Sequence, residues 1–258
     1  MSLDNFDFGA DLAEASGVKR VNPEVGLHFA RLRSVIHLGS IAAMYRGKPK
    51  PPVNKAAFIF ELKGDLDEID DLHPDNGEPL CIGIGVNLTK GDNAKLTEVM
   101  AALISKKEME EGTVKGMDDL IGRVCQLDLK GSDAKGDDGK PKYVDIKSLS
   151  PVAKAFAAQI PELSVAGVGH CRLSQLSMAA MDELNVFLDV QEGIMKSEEW
   201  KAGTHPAIAL VEEIRKERPN YAKAEKKAEK KADKGADEPQ GEQEPSKPAE
   251  QMNTDEEF

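Results

Sequence analysis

Between Val25 and Phe60 the chain carries Arg31, Arg33, Arg46, Lys48, Lys50 and Lys55 and no Asp or Glu. Guanidinium forks and ammonium point charges at this density suit a run of anionic groups, phosphates above all. Tyr45 stands at the foot of the stripe and offers a π face on which a planar base can stack. A second group, Lys135, Lys140, Lys142 and Tyr143, repeats the pattern in a Gly/Asp/Lys-rich stretch. The plainer reading of both is solvated loop. Against it stands the net charge of the chain, −12, in which 36 residues without a carboxylate are an anomaly. The last residues have the opposite chemistry. Asp255, Glu256 and Glu257 precede Phe258, so three side-chain carboxylates, the α-carboxylate and one ring close the sequence. A basic, aromatic-lined pocket recognises such an end; alternatively it is a solubilising tail.

Other chemistries find no support in the residues. There is no G-x-x-x-x-G-K-[ST], H-E-x-x-H, G-x-S-x-G or kinase signature. Gly167-Val168-Gly169-His170 lacks the third glycine of a phosphate loop and reads as a turn. Cys81, Cys125 and Cys171 are isolated, with no C-x-x-C, so neither a zinc site nor a disulfide framework is expected, and buried thiols in a reducing compartment are. The histidines His28, His37, His73, His170 and His205 are dispersed and read as structural. The expectation is a protein that is not an enzyme and uses no cofactor and no metal. The N-terminus lacks an apolar signal core, and no run approaches a membrane span.

The elements that must position the two basic groups follow from periodicity. Residues 25–39 alternate as a long strand. His28, Ala30, Leu32, Ser34, Ile36 and Leu38 form the core face, and Leu27, Phe29, Arg31, Arg33, Val35 and His37 the other. The proline-rich stretch 40–54 is a loop. A second strand, 55–63, puts Phe58, Phe60 and Leu62 on one face, as core or with one ring exposed for stacking. After the acidic stretch 65–78 comes a third strand, 79–88, alternating Ile82, Ile84, Val86 and Leu88 with small residues. Asp92 then caps a helix whose apolar stripe is Leu96, Val99, Met100, Leu103 and Ile104. Strands at 121–130 and 142–149 flank the loop 131–141.

Three strands, a helix and two strands is the order of an OB-fold, a five-stranded Greek-key barrel that grips oligonucleotides on its strand 2–3 face and with its 1–2 and 4–5 loops. The two basic groups fall in those loops. The expected chain is therefore mainly β with added helices. It comprises an N-terminal arm (1–24), an OB-fold core (25–150), a helical extension packed on the core (151–220) and a disordered tail (221–258). From Gly235 to the end, eight acids face Lys247 alone, a net of −7, which leaves −5 for the rest.

Several stretches resemble the single-stranded DNA-binding proteins of tailed bacteriophages. They are Phe6-Asp7-Phe8-Gly9 through Ala15-Ser16-Gly17, Lys19-Arg20-Val21-Asn22-Pro23-Glu24, Leu27-His28-Phe29-Ala30-Arg31-Leu32-Arg33, Asp128-Leu129-Lys130-Gly131-Ser132 and Gly139-Lys140-Pro141-Lys142-Tyr143-Val144. The likeness covers most of residues 5–190, and the acidic end with a terminal Phe258 is shared with phage and bacterial single-strand binders generally. It implies an OB-fold, sequence-independent binding, a place in DNA replication, recombination and repair in the cytoplasm of a bacterial host, and a tail (Asp255, Glu256, Glu257, Phe258) that contacts replication and recombination proteins. The body departs from that pattern in being net acidic and poor in aromatics.

The DNA-binding set expected from the residues is Arg31, Arg33, Arg46, Lys48, Lys50, Lys55, Lys140 and Lys142 on phosphates, with Tyr45, Tyr143, Phe58 and Phe60 as stacking rings. Expected partners are single-stranded DNA, duplex DNA more weakly, tail-reading proteins and a second copy in a homodimer, with no membrane. The competing expectation is a non-catalytic interaction scaffold that binds no DNA.

Overall fold

The structure, a computed structural model, describes residues 21–42, 44–45, 48–64, 71–73, 77–89, 91–92, 94–136, 139–185 and 193–217. The chain falls into two units, Met1–Val211 and Glu212–Phe258; the second is described only over 212–217, the end of a helix spanning Ile208–Glu217. The arm up to residue 20 and the acidic end lie outside the described residues.

The first unit is mainly β. Its strands are β1 (Gly26–Ile41), β2 (Met44–Tyr45), β3 (Lys48–Pro49), β4 (Val53–Leu62), β5 (Cys81–Asn87), β6 (Val124–Gly131), β7 (Val144–Ser150) and β8 (Gly169–Cys171). Five of them make a curled antiparallel sheet in the order β5-β4-β1-β6-β7, and β8 adds to β1 in parallel. β2 and β3 form a separate two-residue ribbon. Among the helices, α1 (Lys95–Leu103) lies between the edge strands, against β5, β6 and β7. There the Glu98 carboxylate accepts from the Leu149 N–H at 3.0 Å, satisfying a donor at the sheet's edge. Its N-cap is Ala94, without a side-chain bond, so Asp92 does not cap it.

Alternation put Phe58, Phe60 and Leu62 of β4 on one face, and that face lies in the main core. Ala56, Phe58, Phe60 and Leu62 of β4, Ile82 and Val86 of β5, Cys125, Leu127 and Leu129 of β6, and Val144, Ile146 and Leu149 of β7 are buried on the concave side with Val99, Ala102 and Leu103 of α1. Each large apolar side chain removed from water contributes about 1.5–3 kcal/mol. β1 departs from simple alternation. Its pairing with β4 shifts between Leu32 and Ser34 and again between His37 and Gly39. The first bulge inserts an extra residue, so the inward set reads Ala30, Leu32, Val35 rather than Ser34 and Ile36.

Ile36 and Leu38 thereby point to the opposite side of the sheet, and they are nonetheless buried. Ile41, Ala57 and Ile59 are also buried without belonging to the main core, as are Ile160, Cys171, Ala180, Met181, Leu184, Ile194 and Ala207 of the segment 151–211. That segment contains β8, the turn Leu173–Gln175, α2 (Met178–Asn185) and the short helix Glu198–Lys201, of which β8, the turn and the last helix lie against β1. The extension is thus not purely helical. Gly39 has φ +94°, a conformation that favours glycine, and a Cβ there would come within 3.1 Å of Ser197 Cβ and push the Glu199 carboxylate aside. Among the described residues no helix is long and apolar enough to cross a membrane.

Candidate nucleic-acid interface

Arg31 is buried, and every nitrogen of its guanidinium donates a hydrogen bond. Nε donates to Pro161 O at 2.6 Å, Nη1 to Gly122 O at 2.6 Å, and Nη2 to Ile160 O at 2.8 Å and Glu162 Oε1 at 3.1 Å. Arg33 donates through Nε to Glu183 Oε1 at 3.2 Å and lies 4.0 Å from Glu61 Oε2. Glu61 is itself buried; it pairs with Lys63 and accepts from the Ser164 N–H at 2.8 Å. Burial would raise the Glu61 carboxyl, but the bonds from Lys63 and Ser164 outweigh it and hold the group below its ordinary range. Both arginines do point away from the main core, as expected. The extension then covers them, so neither offers its charge to a phosphate in this arrangement. Phe58 and Phe60 are each 0% exposed, so they are core rings and not stacking platforms.

Cys81 lies beside Arg33, 3.6 Å from Nη1. Burial pushes its thiol up to about 11, so it stays protonated at neutral pH and is no nucleophile.

The accessible part of the expected set is smaller. Tyr143 is 48% exposed at the foot of β7, and the Lys142 Nζ sits 5.5 Å from its ring centroid. Lys140 and Lys142 are exposed on the same hairpin, which is closed by the Lys135–Pro141 bridge and a bond from Lys142 N to Ala134 O at 2.8 Å. Asn22 fastens the chain entering β1 to this hairpin, donating through Nδ2 to Pro141 O and Lys142 O, both at 3.1 Å. Val25 and Leu27, 54% and 57% exposed, extend the surface with aliphatic area next to the hairpin: Val25 lies beside Gly131 and Pro141, and Leu27 opposite Asp128. Sequence reasoning did not single out these two; their place on the solvent side of an otherwise apolar strand was the available signal.

Lys50 is exposed and Lys55 half-buried near the start of β4. Only the backbone of Tyr45 and Lys48 is described, as partners across the small ribbon, and Arg46 lies outside the described residues, as do Asp255, Glu256, Glu257 and Phe258. The register puts the two basic groups at opposite ends of β1. Ile41 and Val53 mark the end from which the 42–52 connection leaves, and Gly26 and Leu129 mark the end that carries the 132–143 hairpin. The 16 residues of β1 amount to roughly 50 Å of extended strand before its bulges bend it.

Four histidines that looked scattered are tied into the structure. His28 bonds Asp71 Oδ2 at 2.7 Å and Glu24 O at 2.9 Å. His37 and His170 meet at 3.0 Å, Nε2 to Nε2. His205 is buried, with Nε2 3.3 Å from Leu38 O. Burial, reinforced by the charges of His170 and Arg172, lowers the pKa of His37, and burial lowers that of His205, from an ordinary 6.5. A group whose folded-state pKa is depressed contributes stability that is complete above its unfolded pKa and is lost as pH falls toward the folded value. The thermal midpoint is therefore expected to fall when pH is lowered from 7.5 through 6.5. Glu61 acts in the same sense below about 4.5. Scanning calorimetry between pH 7.5 and 5 tests this; a flat midpoint contradicts the histidine assignment.

Comparison with family models, with curated proteins and with solved structures returns no match to this chain.

Proposed function

We propose that the protein binds single-stranded DNA without sequence preference, through an OB-like barrel. The observation that carries the reading is the strand order β5-β4-β1-β6-β7 with α1 inserted between the third and fourth of those strands in sequence, together with an exposed Lys142–Tyr143 pair on the hairpin after β6. OB-folds grip oligonucleotides from their 1–2 and 4–5 connections, and the correspondence of these with the 42–52 connection and the 132–143 hairpin supports the reading. DNA contacts are assigned to Lys140, Lys142 and Tyr143 at one end of β1 and to Lys50 and Lys55 at the other, with Tyr45, Arg46 and Lys48 as further members of the second group. Stacking on tyrosine supplies affinity that is indifferent to base identity, and the lysines supply a salt-dependent attraction. Arg31, Arg33, Phe58 and Phe60 are left out because their groups are committed inside the fold.

The acidic end, with its terminal Phe258, competes weakly for the same cations and recruits proteins of replication and recombination once DNA has displaced it. The protein would work in the cytoplasm of a bacterial host. The test is fluorescence anisotropy of labelled oligo-dT with the full chain and with a chain stopped after Gly235, at two salt concentrations. Expected are salt-sensitive binding by both and a higher affinity for the shortened chain. Binding unchanged by truncation removes the competition and keeps the DNA reading. No binding at low salt by either favours the second reading, a protein-interaction module, for which the exposed aliphatic pair Val25 and Leu27 is the supporting observation.

A further inference from the structure

We propose that His37 and His170 form a binding site for a first-row divalent transition metal ion, Zn2+, Ni2+ or Cu2+, where β1 and β8 lie side by side. The inference does not depend on the DNA reading. The two Nε2 atoms converge at 3.0 Å. Both residues sit on hydrogen-bonded strands, with Val35 opposite His170 and Ile36 opposite Cys171 in a parallel pair, so the backbone sets the ring spacing. Two imidazoles on adjacent positions of an ion at 2.0–2.1 Å stand about 3.0–3.4 Å apart, so an ion can enter with little ring movement.

A carboxylate completes the arrangement from behind. Asp118 Oδ2 lies 2.9 Å from His170 Nδ1. It holds Nδ1 as the N–H donor and leaves the Nε2 lone pair aimed at His37, as carboxylates do for metal-bound histidines. Without metal the pair makes one hydrogen bond, His37 Nε2–H donating to His170 Nε2. On metal binding His37 takes its Nδ1–H tautomer and ligates through Nε2, so no net proton is lost. Arg172 is the neighbouring cation that opposes a dication, and Asp118 offsets it. Among the described residues no group of three or more His, Cys, Asp or Glu could hold a metal, so these two imidazoles would be the ion's protein ligands. A bound ion would clip β8 to β1 and, through Asp118, to the turn Met117–Leu120.

The test is calorimetric titration of the tag-free full chain with NiCl2 at pH 7.5. Saturable binding at one site per chain is expected. It should be lost in a His37→Gln/His170→Gln double variant, which retains the weak background of the acidic end, and be weakened about 10–100-fold in Asp118→Asn. Equal binding by the wild type and the double variant overturns the site. A second measurement needs no variant: Zn2+ must perturb the ring nitrogens of two of the five histidines in long-range 15N spectra of the wild type. An unperturbed histidine set also overturns it.

Discussion

Replacing Arg31 with Ala should lower the unfolding free energy by about 3–5 kcal/mol, the cost of breaking a buried charged network by removing one member. The physical reason is the inventory of acceptors left behind. The carbonyls of Gly122, Ile160 and Pro161 each lose a charge-assisted bond in a place to which water has little access. Glu162 loses little, because its side chain is 85% exposed. Arg31 joins β1 to the start of the extension and to the turn before β6, so its loss loosens the covering layer and the sheet together. Urea denaturation measures the change. The discriminating readout is DNA affinity at a temperature where the variant remains folded. A residue that only clasps the fold leaves oligo-dT affinity and its salt dependence unchanged, whereas a phosphate ligand reduces both. A variant as stable as the wild type but weaker for DNA would return Arg31 to the binding set.

The second large effect concerns the exposed hairpin. A Tyr143→Ala change should weaken oligo-dT binding by about 1–3 kcal/mol, roughly 5- to 150-fold, the range for removing one stacked base. Adding Lys140→Ala and Lys142→Ala should remove two phosphate contacts and make the dependence of log K on log salt shallower by about 1.4. Neither lysine is buried, so the thermal midpoint should move little. Tyr143→Phe keeps the π face and should bind nearly as the wild type does. If Tyr143→Ala binds normally while Tyr143→Phe does too, the hairpin is not the stacking site. The DNA reading would then rest on the 42–52 connection alone.

Pattern made much of the architecture legible. The period-two runs group Phe58 with Phe60 and Leu62, Ile82 with Val86, and Cys125 with Leu127 and Leu129 on single faces, and those faces line the core, although the same pattern leaves Phe58 and Phe60 open to a stacking role. The 3.6-residue stripe finds α1 to within a turn. Prolines and glycines mark the connections, because they cannot continue a ladder. Less was legible where long-range packing intervenes. The bulge after Leu32 has no local signature, yet one inserted residue exchanges the faces of Val35 and Ile36. The meeting of His37 with His170 joins residues 133 apart, and nothing near either position announces it.

By itself, then, the sequence determined which residues share a face where no bulge intervenes, where the cations cluster, and that the last residues are rich in carboxylates, because periodicity and composition are local properties. Only the tertiary structure decided which face is covered. Residues 160–164 and Glu183 lie against β1 and β4, and their carbonyls and carboxylates take up Arg31 and Arg33, two cations that composition alone assigns to a phosphate chain. A charged side chain is available to a ligand only if no closer partner in the fold satisfies it first, and that partner can lie 130 residues away.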